Sequence, residues 1–487
     1  GTAFVRILPA GILPAGILFK RVLLNGFLFA GFVVAMASGC GPDHGLAVNG
    51  AAKPGEYSKL SRSLASQNQS LRAQLTALRE SDQFPLNLTS RRRTVAGKSG
   101  RKRAGQSWLA DDQNFAVPLE KIGPESTSSF RRESEKIDGM LAPSSLPWSR
   151  EAMERVETLM ILRGGDIKTT RAALELPQSD FGLRLDNGLL AEMDGVQRAL
   201  FAGRLLAIAT MYDMRQQKLE QAVDGISQLI HLANGLSNES HIVPRVAGAR
   251  VREDAFLALQ TLCTAPGLQE KQLKRLHRDI AAMIAQWPDD ALVWRGERAQ
   301  GLHAFEMVRA DDLLSLLGED ELDVARNRGL NEFTENILDQ VDEDEQFYMS
   351  AMQQVIAACD MPYHARADAI DKIMVDVEEL DGNTKSAWLS ANMLLTNVSD
   401  GLYWQGHDRA LAEAWLIALN AASGDMPTEK INPLTGRPFI IEVGELHVTL
   451  WGISDENGGG WATIEPLVEP LVVPRLAEVA IRSRRLR

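Results

Sequence analysis

The chain has 487 residues, enough for roughly two to four domains by length alone. A net charge of −12 argues against nucleic acid as the main partner, and 45% hydrophobic content is that of a soluble globular protein rather than a membrane bundle. Cys40, Cys263 and Cys359 show no zinc-type spacing; the last two lie in apolar helical contexts and read as buried free thiols.

Residues 7–18 repeat Ile-Leu-Pro-Ala-Gly in tandem and read as a low-complexity extension. Lys20 and Arg21 then precede a mostly apolar run, Val22–Ala37, followed by Ser38, Gly39 and Cys40. A basic segment, a short apolar segment and small residues make a secretory signal. A cysteine directly after the small residues resembles a bacterial lipoprotein signal, with Cys40 lipidated, although Ala37 stands where such signals usually carry leucine. The competing readings are an uncleaved helix over 18–39, close to the ~20 residues that span a bilayer, and a cleaved signal with Cys40 unmodified. All three place the rest of the chain outside the cytoplasm, in the cell envelope. The partner implied at this end is the membrane.

Residues 41–56 form a Gly- and Pro-containing tether. Tyr57, Leu64, Leu71 and Leu78 repeat every seven residues, which makes 57–80 a short coiled-coil candidate, with Gln67 and Gln74 in half of its seam. Residues 81–148 read as a disordered linker with little apolar periodicity. Its Arg91–Arg103 stretch is basic enough to attract a polyanion such as a lipid surface.

From Ser149 to about residue 424 the pattern is amphipathic helix. Ser149 is the predicted N-cap of Glu151–Arg163. Further helices are predicted over Leu189–Gln217, Leu219–Leu236, Val243–Thr264, Gln269–Trp287, Asp290–Leu317, Glu319–Val341, Glu345–Cys359, Tyr363–Leu380, Lys385–Val398 and His407–Ala422. Helices of this length joined by short turns form antiparallel pairs, stacked as an irregular solenoid or bundle. Within 425–487, Phe439–Val443 and Glu445–Trp451 around Gly444 predict a β-hairpin. The expected fold is therefore mainly α, with a small C-terminal β-hairpin, preceded by a membrane anchor and a flexible stalk.

The hairpin motif, Asn432-Pro433-Leu434-Thr435-Gly436-Arg437-Pro438-Phe439 and then Leu450-Trp451-Gly452-Ile453-Ser454-Asp455-Glu456-Asn457-Gly458-Gly459, resembles a C-terminal module of uncharacterised secreted proteins of planctomycete bacteria. There the pattern begins Asp-Pro-x-x-Gly-x-Pro. A related loop closes the major pseudopilins, where its acidic residues bind calcium. The helices over 204–236 and 242–287 follow the layout of that group. The resemblance spans roughly 190–310 and 425–460 and implies a fold and a compartment, but no activity. Asn432 departs from the pattern's aspartate, and Asp455 and Glu456 are the only acids left in the later loop. A calcium site needs six to eight oxygens, so a glycine-rich turn is the simpler reading.

Chemistry-bearing residues are sparse. His303 and Glu306 stand three apart on one helix face, a spacing used in helical metal sites; His364 with Asp368 is the nearest second pair. Hydrogen-bonded or surface histidines are the plainer alternative. His241 and His407-Asp408 read as caps or turn residues. Trp388, Tyr403, Trp404 and Trp415 could line a groove for a peptide or glycan, with Asp311–Asp323 and Asp342–Glu345 as an acidic rim; buried aromatics and a solvated acidic face are the alternatives. No cofactor motif is present. The expected role is an envelope scaffold, with an envelope hydrolase or metal enzyme using His303, Glu306, His364 and Asp368 as the alternative.

Overall fold

The computed structural model describes residues 109–142, 145–183, 191, 193–310, 330–381, 388–425, 431–452 and 470–476. Cys40, the tether, the heptads of 57–80, and Asp455 and Glu456 lie outside the described residues. Within them the chain is mainly helical, with a small antiparallel sheet at the C-terminal end. Among the described residues, no helix is long and apolar enough to cross a membrane.

The first departure from expectation is the second half of the supposed linker. Helices α1 (Ala116–Leu119) and α2 (Thr127–Leu141) form there. Phe115, Leu119, Ile122, Ile137 and Leu141 are buried in the main core. They are few and irregularly spaced, which hid them among polar neighbours. Asn114 fixes the entry: its side chain accepts from the Ala116 and Asp180 amides and donates to the Asp180 carbonyl. Ser126 caps α2 by accepting from the Ser129 amide.

Ser149 caps α3 (Arg150–Leu162) as predicted, accepting from the Ala152 amide. After α4 (Gly164–Ala173) come α5 (Asp194–Arg215), α6 (Leu219–Ser237), α7 (Ile242–Cys263) and α8 (Glu270–Ala285). Helices α5, α6 and α7 pack against one another and α8 packs against α6, and their apolar faces make the centre of the first core. His241 is the N-cap of α7, its Nδ1 accepting from the Val243 amide.

Then follow α9 (Asp290–Arg309), α10 (Leu330–Ala358), α11 (Tyr363–Asp381), a π-helical turn (Ser390–Leu394) and α12 (Val398–Ser423). The sequence predicts a break over 342–344, but α10 runs through it unbroken. The acidic run Asp342–Glu345 is not a solvated rim either: Asp344 and Glu345 are buried, and Asp342 pairs with Arg309 at 2.5 Å. Likewise α12 begins nine residues before His407, which is buried mid-helix rather than capping.

The hairpin is present and gains a third strand. β1 (Ile440–Val443), β2 (His447–Trp451) and β3 (Leu471–Pro474) lie in the order β1-β2-β3, both pairs antiparallel, with Ile440 opposite Trp451 and Val448 opposite Val473. Val448, Leu450, Leu471 and Val473 join the first core. Asn432 organises the preceding loop: it donates to the Gly452 carbonyl at 2.7 Å and accepts from the Leu434 amide at 2.8 Å. The first of these needs an amide N–H, which the aspartate of the resembling pattern lacks.

A second core joins Trp294, Phe305, Tyr348, Val355, Ile370, Leu389 and Leu402. Helix α12 belongs to both cores. Val398 and Leu402 lie in the second, and Leu411 to Ala422 lie in the first.

Candidate functional site

The densest collection of chemistry-bearing side chains lies where the two cores meet. Apolar helices of this kind rarely bury charge unless it is paired. Here α7 carries Arg245 and Arg252, both fully buried, and α12 carries Gln405, His407 and Asp408. At the start of α9, Asp290 is buried and accepts from two guanidiniums. Arg245 Nη2 donates to Oδ1 at 2.9 Å and Arg366 Nη1, from α11, donates to Oδ2 at 2.8 Å. Arg366 also donates to the Cys359 and Met361 carbonyls, so it closes the C-terminal end of α10. Its guanidinium lies 3.8 Å from the centre of the Tyr363 ring. Burial, followed by the Asp290 charge, pushes the Tyr363 hydroxyl well up.

Arg252 donates to Asp408 on α12 and to Asn234 and Ser237 on α6. The Trp287 ring lies under Arg252, Arg409 and Arg245, at 4.7, 4.9 and 5.2 Å from centroid to guanidinium carbon. Trp294 donates to Gln405 at 3.1 Å. On the α12 face toward α7, His407 Nδ1 is 3.7 Å from Glu253, and Arg250 lies 4.5 Å over Trp404. Burial holds His407 below its ordinary value, against the Glu253 and Asp408 carboxylates.

Chemically this arrangement is a clamp. Arginine stays protonated in proteins and cannot serve as a base. Asp290 has both oxygens engaged by cations from two other helices. The shallow crevice between α7 and α12, lined by Ile242, Arg245, Trp404, Gln405 and Asp408, has no interior room for a water molecule.

The residues singled out from sequence are not gathered here. His303 and Glu306 sit on α9, with Glu306 exposed; His364 and Asp368 are exposed on α11. Among the described residues no three His, Cys, Asp or Glu side chains assemble as metal ligands would. The aromatic set is also divided. Trp415 is buried in the first core and stacks on Phe256, whereas Trp388 packs edge-on against Phe347 at the second. Tyr403 and Trp404 flank His407 on α12. Cys263 and Cys359 are free thiols, pushed up to about 12 by burial. Sequence reasoning missed the arginine–aspartate lattice, although Arg245 and Arg252, two turns apart on one side of α7, were its visible trace. No protein-family model, no curated protein and no solved structure matches this chain.

Proposed function

We propose that the protein is a scaffold or interaction protein of the cell envelope, anchored to the membrane through its N-terminal segment and lipidated at Cys40. One observation carries the scaffold half: the charged groups of the helical interior brace helices against one another, with Asp290 joining α7, α9 and α11. Such a lattice holds a shape. It supports a role in which a rigid helical body is displayed to a partner. The basic, apolar and small-residue segments ending at Cys40 support the anchor.

N-terminal mass spectrometry of the membrane fraction tests the anchor. A mature chain beginning at lipidated Cys40 is the expected result, and Cys40→Ala should abolish processing. An unmodified soluble chain starting elsewhere overturns it. In-cell cross-linking of the full-length protein tests the scaffold: reproducible adducts of defined mass are expected, and a monomer without adducts counts against the role.

A further inference from the structure

Away from the Asp290 clamp, a second charged cluster ties α2 to the first core. Arg204 of α5 sits between two carboxylates on two different helices. Its Nη1 donates to Asp138 of α2, and its Nε lies 3.3 Å from Oδ2 of Asp254 on α7. The second contact is an ion pair without hydrogen-bond alignment: both Nε and Oδ2 are buried, with no hydrogen-bond partner. Arg204 thus serves two acids at contact distance, and Asp254 is the worse served. Arg250 on α7 lowers both carboxylates from further off, but burial outweighs the two cations together. On α7, Glu253 flanks Asp254, with Arg250 donating to Glu253 at 3.1 Å. From α2, Glu135 adds a further negative charge near Asp138. From α12, His407 faces Glu253.

We propose that α2 is a proton-controlled strap, closing over α5 and α7 when the Asp138–Arg204–Asp254 cluster holds a proton and opening locally when that proton is lost. Burial pushes Asp254 up to about 6 against the pull of Arg204, with Glu253 and Asp138 adding to the rise. Burial also raises Asp138, again against Arg204. When α2 lifts away, Asp138 departs, water reaches Asp254, and Arg204 is left to Asp254 alone. The open form therefore binds the proton less tightly. By linkage, closure is strongest below the ordinary carboxylate range and weakens as pH rises through about 6. Other attachments of α2 include the Glu133–Arg163 pair at 2.5 Å, Phe130 against Phe201 at 5.0 Å and under Arg198 at 5.7 Å, the Trp148 indole donating to the Met140 carbonyl at 2.9 Å, and the buried Ile137 and Leu141. They confine the change to a local opening. The proposal rests on the cluster geometry and is independent of the envelope reading.

Amide hydrogen exchange of the full-length protein, read by mass spectrometry and corrected for intrinsic rates, tests it. Protection of Thr127–Leu141 should fall about tenfold between about pH 5 and about pH 8, with Leu219–Ser237 unchanged. Asp254→Asn, a mimic of the protonated acid, should keep the high protection at both pH values. Asp138→Asn should make the profile shallower without flattening it, because burial, the main cause of the Asp254 rise, remains. Equal wild-type protection at both pH values overturns the proposal without any variant. An Asp254→Asn profile that follows the wild type overturns it as well.

Discussion

Asp344 lies within an acidic run that sequence alone places in solvent, yet it is buried against the start of the π-helical turn. It accepts from the Leu389 amide at 2.5 Å, the Ser390 amide at 3.2 Å and the Ser390 hydroxyl. Burial lifts it to about 6 in spite of those donors, and Glu345 beside it adds to the rise. The raised value fixes the sign of its pH dependence. Its contribution to stability is complete below the ordinary aspartate value and is lost as pH rises through about 6. Ser390→Ala removes a hydroxyl donor from the ionised form. In urea denaturation at about pH 8 it should cost about 1.5–3 kcal/mol, the range for a hydrogen bond to a charged group. At about pH 5, where Asp344 is largely protonated, the loss should shrink. An equal loss at both pH values would show that Ser390 does not act through Asp344.

At the level of elements, close approach decides which glycines matter. A methyl group at Gly296 on α9 would sit 1.7 Å from the Ser240 carbonyl oxygen, in the turn that opens α7. At Gly248 on α7 it would meet the Ala233 carbonyl of α6 at 2.7 Å. Gly139 on α2 faces open space. Gly296→Ala should therefore destabilise by about 1–3 kcal/mol or more, since backbone must move. Gly139→Ala should stabilise by roughly 0.5–1 kcal/mol, because alanine restricts the unfolded chain more than glycine does. Paired thermal melts check both signs.

Most of these helices were legible from apolar spacing. Ser149, His241 and the Gly444 turn were recognisable by the chemistry they perform. What misled was charge. Residues 342–344 and His407-Asp408 read as breaks because acids and histidines usually mark helix ends, whereas here Arg309, Arg252 and Glu253 receive them inside the fold. Such partners lie tens of residues away or more in sequence, and local pattern carries no information about them. β3 was hidden for a related reason: its four residues have no alternation until Val448 and Leu450 are placed opposite.

For the whole molecule, the Asp290 clamp lies between two apolar cores that otherwise share little beyond α12. Asp290→Ala would leave Arg245 and Arg366 without their carboxylate. Breaking a buried pair this way costs about 3–5 kcal/mol. The expected result in calorimetry is a split of one transition into two, with the α9–α11 core melting first. A single transition lowered as a unit would mean that α12 alone couples the cores.

The double membership of α12 also constrains how the protein reaches its final form. The first core holds Phe115 and Leu476 alike, and the second waits on Leu402. Neither can close while only the N-terminal half of the chain has emerged from a ribosome. Contacts of such long sequence separation form late. Helices α5 to α7 can pack on one another early, but both cores stay incomplete until α12 and, for the first, β3 are delivered. The same delay leaves a long exposed intermediate for chaperones to guard.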